Sequence, residues 1–264
     1  MNILKSIKYK LNTLLGRDVL FPENRELILH FQQYSKAYIL GSAPSINEID
    51  FSLFDKDALV ISMGNFHEHP EIKGINPGIH IFAASHPPLT DKIIKLWYAR
   101  AEERLPKDTI VLVEARDFEI ASSVFKTHRV YQYAYGGTFP SSFTKRIMAP
   151  TSVAIVALQL GYYLGLEDLN LLGIDHDWQT TKGYGHFYDH DKPSLEFFLK
   201  EEGIITDTLA YQGRQPKGRL YKFYAMYMQY EQFNDPNLRP NFKIYNADPL
   251  SEFDVFEKRD YNTK

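Results

Sequence analysis

Short apolar runs, separated by longer stretches of mixed character, set the rhythm of this chain. Ala37–Leu40 is one such run, and it ends in the turn Gly41-Ser42-Ala43-Pro44-Ser45. Ala58–Met63, Ile79–Ala84, Thr109–Glu114 and Leu169–Leu172 follow the same pattern, the last ending at Gly173-Ile174-Asp175. Runs of this length without polar alternation fit strands covered on both faces, the condition of a parallel sheet. Ser152–Leu164 is apolar over a helical length, and Phe242–Tyr245 reads as a final strand leading into Asn246-Ala247-Asp248. Strands alternating with helices predict an α/β fold, a single doubly wound parallel sheet with helices on both faces. Right-handed crossovers then place the polar strand tips Ser42, Asn65, Ser85 and Asp175 on one carboxyl edge, where ligands bind in such folds.

The two ends of the chain read differently. Ile3, Leu4, Ile7, Leu11, Leu14 and Leu15 form one helical stripe, interrupted by Lys5, Lys8 and Lys10 and followed by Arg17. Residues 1–20 therefore predict an amphipathic helix whose lysines suit peripheral contact with an anionic inner membrane face. Packing on its own domain or on a neighbouring subunit is the alternative. Residues 21–264 form one Rossmann-like domain with a small lid region at about 184–240. That region holds Gly213, Pro216, Lys217, Gly218, Arg219 and Lys222 beside Tyr221, Phe223, Tyr224, Tyr227, Tyr230 and Phe233. The aromatic spacing suits a core face, and the basic residues suit a cover over an anionic ligand. No apolar run approaches the roughly 20 residues of a membrane span, and the N-terminus lacks signal-peptide character, so a cytoplasmic protein is expected.

Composition narrows the chemistry. A chain of 264 residues buries enough surface to need neither disulfide nor structural metal. The absence of cysteine excludes thiolate zinc sites, iron–sulfur clusters and cysteine nucleophiles. Thirty basic against 33 acidic residues, with the basic ones scattered, argues against a nucleic-acid partner. Aromatic residues at 14% suit a protein that covers a cleft or stacks on rings.

The turn Gly41–Ser45 follows a strand at its carboxyl end, where small residues let backbone N–H groups approach an anion. It is neither a Walker loop nor the three-glycine dinucleotide fingerprint, and there is no Gly-x-Ser-x-Gly elbow. The nine histidines cluster: His67 and His69 flank Glu68, His86 precedes two prolines, and Asp175-His176-Asp177 leads to His186 and His190. Asp175, Asp177, Asp189 and Asp191 with these histidines would suit a divalent metal, yet no His-Glu-x-x-His helix occurs. His186, in a glycine-flanked polar loop, suits a general base, since an ordinary imidazole titrates near neutral pH.

Several of these segments, in order, resemble one family. Ile39–Ile46 with Glu48-Ile49-Asp50 is similar to the first-strand signature of the bacterial sialyltransferases of glycosyltransferase family 42, and to the related domain of motility-associated flagellin glycosyltransferases. Asn65 falls where that family places a nucleotide-sugar-contacting Asn. Arg146 with Thr151-Ser152, entering a helix that reaches Leu160-Gly161-Tyr162, resembles its Arg-x-Thr-Ser helix, and Leu169–Asp175 the strand and Gly-Ile-Asp that follow. Gly185-His186, with Leu195-Glu196-Phe197 beyond, resembles its catalytic-His segment. The likeness spans roughly residues 37 to 205.

The resemblance implies a CMP-activated ulosonic acid, sialic acid-like or Kdo-like, as donor and a saccharide hydroxyl as acceptor, in bacterial surface glycan assembly. It implies no obligatory cofactor or metal, and an oligomeric enzyme. Gly41, Ser42, Ala43, Pro44, Ser45 and Asn65 would hold the phosphate and ribose side, Thr151 and Ser152 the donor's carboxylate, and Gly173, Asp175 and Asp177 would complete the binding set. His186 would be the base, with Arg146 assisting. The family carries an aromatic pair ending in Tyr after Gly-Ile-Asp. Here His176-Asp177 stands in its place, which leaves Tyr184 and Tyr188 as candidates for the hydroxyl that assists the leaving phosphate. A Mg²⁺-dependent pterin pyrophosphokinase, built on a similar Gly-x-x-Pro-Ser and Gly-x-Asp domain, is the rival reading. A non-catalytic nucleotide-binding scaffold is the third.

Overall fold

In the computed structural model, which describes residues 19–176, 186–187, 195–204 and 216–262, the apolar runs become strands. They are β1 (Lys36–Leu40), β2 (Leu59–Met63), β3 (Ile79–Ile81), β4 (Ile110–Glu114), β5 (Val130–Gly137), β6 (Arg146–Met148), β7 (Asp168–Leu172), β8 (Lys243–Asn246) and β9 (Glu257–Lys258). All pair in parallel, in the order β6-β5-β4-β3-β2-β1-β7-β8-β9. The helices among the described residues are α1 (Arg25–Phe31), α2 (Ile72–Ile75), α3 (Asp91–Arg104), α4 (Phe118–Val124), α5 (Val153–Leu164), α6 (Leu195–Glu201) and α7 (Pro216–Glu231).

Alternate residues of each central strand feed two separate cores. Ala37, Ile39, Ile61, Ile110 and Leu112 pack on one face with α1 and α5, while Tyr38, Leu40, Val60, Val111 and Val113 pack on the other with α3 and α4. β2 and β4 are buried along their whole length, which is why they read as apolar runs interrupted only by Ser62 and Glu114. α5 is buried nearly all round, from Ala154 to Gly161, as a helix lying between sheet and outer helices must be. Ser152 caps it by accepting from the Ala154 N–H, satisfying one donor of its first turn. α3 is half-buried: Ile93, Ile94, Trp97, Tyr98 and Ala101 face the sheet at helical spacing, and the side chain of Thr90 caps its start.

The doubly wound sheet agrees with the sequence expectation, with three differences. The third strand ends at Ile81 rather than Ala84; the Phe82 N–H still donates to Leu112 O, and the chain then leaves the ladder. β5, β6 and β9 were not expected. β5 alternates buried tyrosines with half-buried positions, β6 has three residues at one edge, and β9 has two at the other. The last long strand lies one residue later than read, at Lys243–Asn246. Within the expected lid, α6 packs on α3 and its end is tied by a Lys92–Glu202 ion pair of 2.7 Å. The C-terminal half of α7 enters the core through Met226 and Tyr230, whereas Leu220, Tyr221 and Tyr224 stay exposed. No helix among the described residues is long and apolar enough to cross a membrane. The expected N-terminal amphipathic helix falls almost wholly outside the described residues.

Candidate functional site

β1 lies between β2, the next strand in sequence, and β7, so the winding reverses at β1. In open parallel sheets a crevice forms at the carboxyl edge beside this reversal. The two turns flanking it approach closely: Gly41 N–H donates to Leu172 O at 2.8 Å and Ala43 N–H to Gly173 O at 2.9 Å. A Cβ on Gly41 would sit 2.2 Å from Gly173 O, so this contact requires glycine. Two N–H groups of the expected anion turn are thus already bonded to the β7 turn.

Polar side chains tie three turns together here. Ser45 Oγ lies 2.9 Å from Asp175 Oδ1 and 2.7 Å from Asp248 Oδ2. Asp248, buried in the turn after β8, also accepts from the Gly173 N–H at 2.8 Å and the Leu250 N–H at 3.0 Å. Ser42 Oγ is 3.0 Å from His186 Nδ1, and the Phe187 N–H donates to Ser42 O at 2.8 Å. The Phe187 ring meets Phe66 at 5.7 Å and His69 at 5.2 Å, docking this segment on the turn after β2. The sequence-selected residues Ser42, Ser45, Asn65, Asp175 and His186 therefore share one corner of the sheet edge.

The turn after β2 is held from behind by α3. Trp97 Nε1 donates to Asn65 Oδ1. Arg100 Nε donates to buried Glu68 at 2.8 Å, and the Arg104 guanidinium donates to the carbonyls of His67, Glu68 and His69. Deeper still, His67 Nδ1 and His80 Nε2 both lie 3.1 Å from Gly64 O, while His80 Nδ1 meets Ser62 Oγ at 2.7 Å. Burial drives the His80 ring down to about 3; burial, and then His80 itself, pushes His67 well below the ordinary histidine value. These two are neutral packing histidines.

Thr151 and Ser152, at the start of α5, meet α7 and the β7 tip. The Thr151 N–H and hydroxyl both donate to Gln229 Oε1 at 2.8 Å. Tyr230 OH hydrogen-bonds His176 Nε2 at 2.7 Å and the Ser152 side chain. Burial lowers His176 to about 4 and pushes the Tyr230 hydroxyl up, so the pair is neutral near pH 7. Arg146 lies apart. It opens the outermost strand, five strand spacings or about 24 Å from β1, and its Nη1 donates to Tyr135 O at 2.8 Å. Asp177, Tyr184, Tyr188 and His190 lie outside the described residues. Among the described residues no three acidic or histidine side chains converge as a metal site would require.

Sequence reading missed Asp248 and Trp97 as site residues. Asp248 had a signal, since it follows the last strand read and so falls on the same carboxyl edge. Trp97 had none, because only the packing of α3 brings it to a residue 32 positions away.

No family model matches the chain, and no curated protein matches it in sequence. Among solved structures it is similar to the sialyltransferase CstII from Campylobacter jejuni in complex with a substrate analogue, CMP-3FNeuAc, at 15% identity and TM-score 0.49 over 87% of this chain and 88% of that one. The same enzyme with cytidine-5′-monophosphate gives 13% identity and TM-score 0.48 over 87% of each chain. The sialyltransferase CST-II with trisaccharide acceptor and CMP gives 14% and 0.43 over 87% of this chain and 88% of that one.

Proposed function

We propose that this chain is a glycosyltransferase that moves an ulosonic acid from a CMP-activated donor to a saccharide hydroxyl, with His186 as general base. The observation that carries the reading is the docking of His186 on Ser42, at the winding reversal of the sheet. A base must be oriented as well as present. A Ser42 oxygen accepting from Nδ1–H selects the tautomer whose Nε2 lone pair takes a proton. In this reading Nε2 removes the acceptor hydroxyl proton while that oxygen attacks the anomeric carbon. The bond from that carbon to the phosphate oxygen breaks, CMP leaves with the electron pair, and the proton remains on the imidazole.

The donor class rests on the sequence likeness at Gly41–Ser45, Asn65, Thr151-Ser152, Gly173–Asp175 and His186. The arrangement around them supports it. The Gly41–Ser45 turn and Asn65 border the phosphate and ribose side, and Thr151 and Ser152 the sugar carboxylate. Asp175 disfavours phosphate by charge and suits sugar or ribose hydroxyls, which donate. Peripheral membrane contact through residues 1–20 and a role in surface glycan assembly belong to the same proposal.

The test pairs binding with turnover. Thermal shift and calorimetry with CMP, CTP, ATP and GDP, with and without Mg²⁺, are expected to show metal-independent stabilisation by CMP or CTP. His186→Ala is expected to lower turnover by about 10²–10⁴-fold while leaving CMP affinity near wild type, and to remove the acidic limb of the pH–rate profile. Metal-dependent stabilisation by ATP alone would overturn the reading in favour of pyrophosphoryl transfer.

A further inference from the structure

The side-chain amide of asparagine is nearly symmetric in shape but opposite in chemistry at its two ends. At Asn65 a donor settles which end points where. The indole of Trp97 has an N–H and no acceptor, so the atom facing Nε1 is Oδ1 and the amide nitrogen points the other way. The indole itself is confined by packing: buried, edge-on against Phe82 at 4.7 Å and stacked with Tyr98 at 5.7 Å. α3 fixes the rest of the turn through Arg100 and Arg104. Among the described residues Asn65 Nδ2 makes no hydrogen bond, and it is not one of the sealed polar atoms without a partner. It therefore reaches solvent, in a turn whose neighbour Phe66 touches Phe187, which is bonded to Ser42.

We propose that Trp97 is a positioning residue that locks the Asn65 amide with its two N–H donors toward the crevice. The site at this corner then selects a ligand atom that accepts hydrogen bonds and rejects one that donates. The inference rests on the nucleotide-sugar reading for its ligand, and the acceptor it implies is a phosphate oxygen or a carbonyl or ring nitrogen of a pyrimidine. An unlocked amide would rotate and present either end, losing preorganisation without losing the residue.

The experiment replaces Trp97 with 3-benzothienylalanine, which keeps the bicyclic shape and lacks the N–H, alongside Trp97→Phe. Calorimetry, run with CMP and with cytidine, is expected to show about a tenfold loss of CMP affinity in both variants. If turnover is present, KM should rise with kcat nearly unchanged, a split that general loosening of the fold does not produce. Loss for both ligands assigns the acceptor to the base, and loss for CMP alone assigns it to the phosphate. In the unliganded wild type the Trp97 indole N–H resonance should move strongly on Asn65→Ala. An indole signal indifferent to Asn65→Ala, or CMP affinity unchanged in the benzothienyl variant, overturns the proposal. A wild-type protein that binds neither CMP nor cytidine overturns the donor assignment and the ligand half of this inference with it, while the indole signal still decides the orientation of the amide.

Discussion

Two sets of turns on the same sheet edge use the same residue types to different ends. After β3 and β4, the Ser85 N–H and hydroxyl both donate to Asp117, and Arg116 Nε donates to Glu114 at 2.7 Å while its Nη1 donates to Ser85 O. The set closes on itself. After β1, β7 and β8, one hydroxyl proton on Ser45 faces two carboxyl oxygens, on Asp175 and Asp248, and a second serine holds a histidine. Ser45 cannot serve both carboxyl groups at once. A closed circuit of donors and acceptors stabilises the turns after β3 and β4, whereas at the other corner one serine proton is shared between two turns, with Asp248 held besides by the Gly173 and Leu250 N–H groups. What distinguishes the two corners is therefore how many turns one serine ties together: Ser85 joins two, and Ser45 joins three.

Paired substitutions separate the two sets. The largest effect is expected from glycine. Gly41→Ala puts a Cβ 2.2 Å from Gly173 O, and Gly137→Ala puts one 2.0 Å from Arg146 O at the β5–β6 edge. Backbone cannot yield as a side chain does, so each should cost about 3 kcal/mol or more in denaturant unfolding. Only Gly41→Ala should also weaken CMP binding, and equal losses of affinity in the two would erase the distinction.

Next comes pH. Burial holds folded His176 at about 4, below the ordinary histidine value of about 6.5 that it regains on unfolding. Below 6.5 the unfolded chain gains the proton first, so the His176 contribution to stability falls with pH through that window and levels off near 4. The loss is on the order of 3 kcal/mol. His176→Asn should flatten this part of a stability-versus-pH curve; a variant curve with the wild-type slope would remove His176 from the account. The smallest pair is Asp248→Asn against Asp117→Asn. Each should lose about 1–3 kcal/mol by leaving buried donors poorly matched, with CMP affinity falling only in Asp248→Asn, as read by calorimetry.

The sequence carried the centre of the sheet and not its borders. β1, β2, β4 and β7 are buried on both faces, so most of their residues are apolar and the runs stood out despite buried Ser62, Glu114 and Asn170. β5 mixes Tyr131, Gln132, Tyr133 and Tyr135 and ends in Gly136-Gly137, a composition that reads as a loop until its neighbours are known. β6 and β9 are too short for any periodicity. The same limit applies at the candidate site. Ser42, Asn65 and Asp175 stood out because strand ends are marked by a change from apolar to polar, and His186 because it sits in a polar, glycine-flanked stretch. Trp97 did not, because an aromatic residue at helical spacing looks the same whether its indole N–H meets a side-chain amide or a backbone carbonyl.

The pairing of β1 with β7 joins residues such as Ala37 and Asn170, 133 positions apart, whereas β1 meets β2 after a single short crossover. Closing the long loop costs more chain entropy and comes late unless other contacts guide it. The seam that carries the Ser45–Asp175 contact is thus the least local join in the sheet's centre. A molecule gripped from both sides of that seam binds only the chain that has completed the join. Such a ligand would slow the reopening of the two halves and act as a clasp on the folded state.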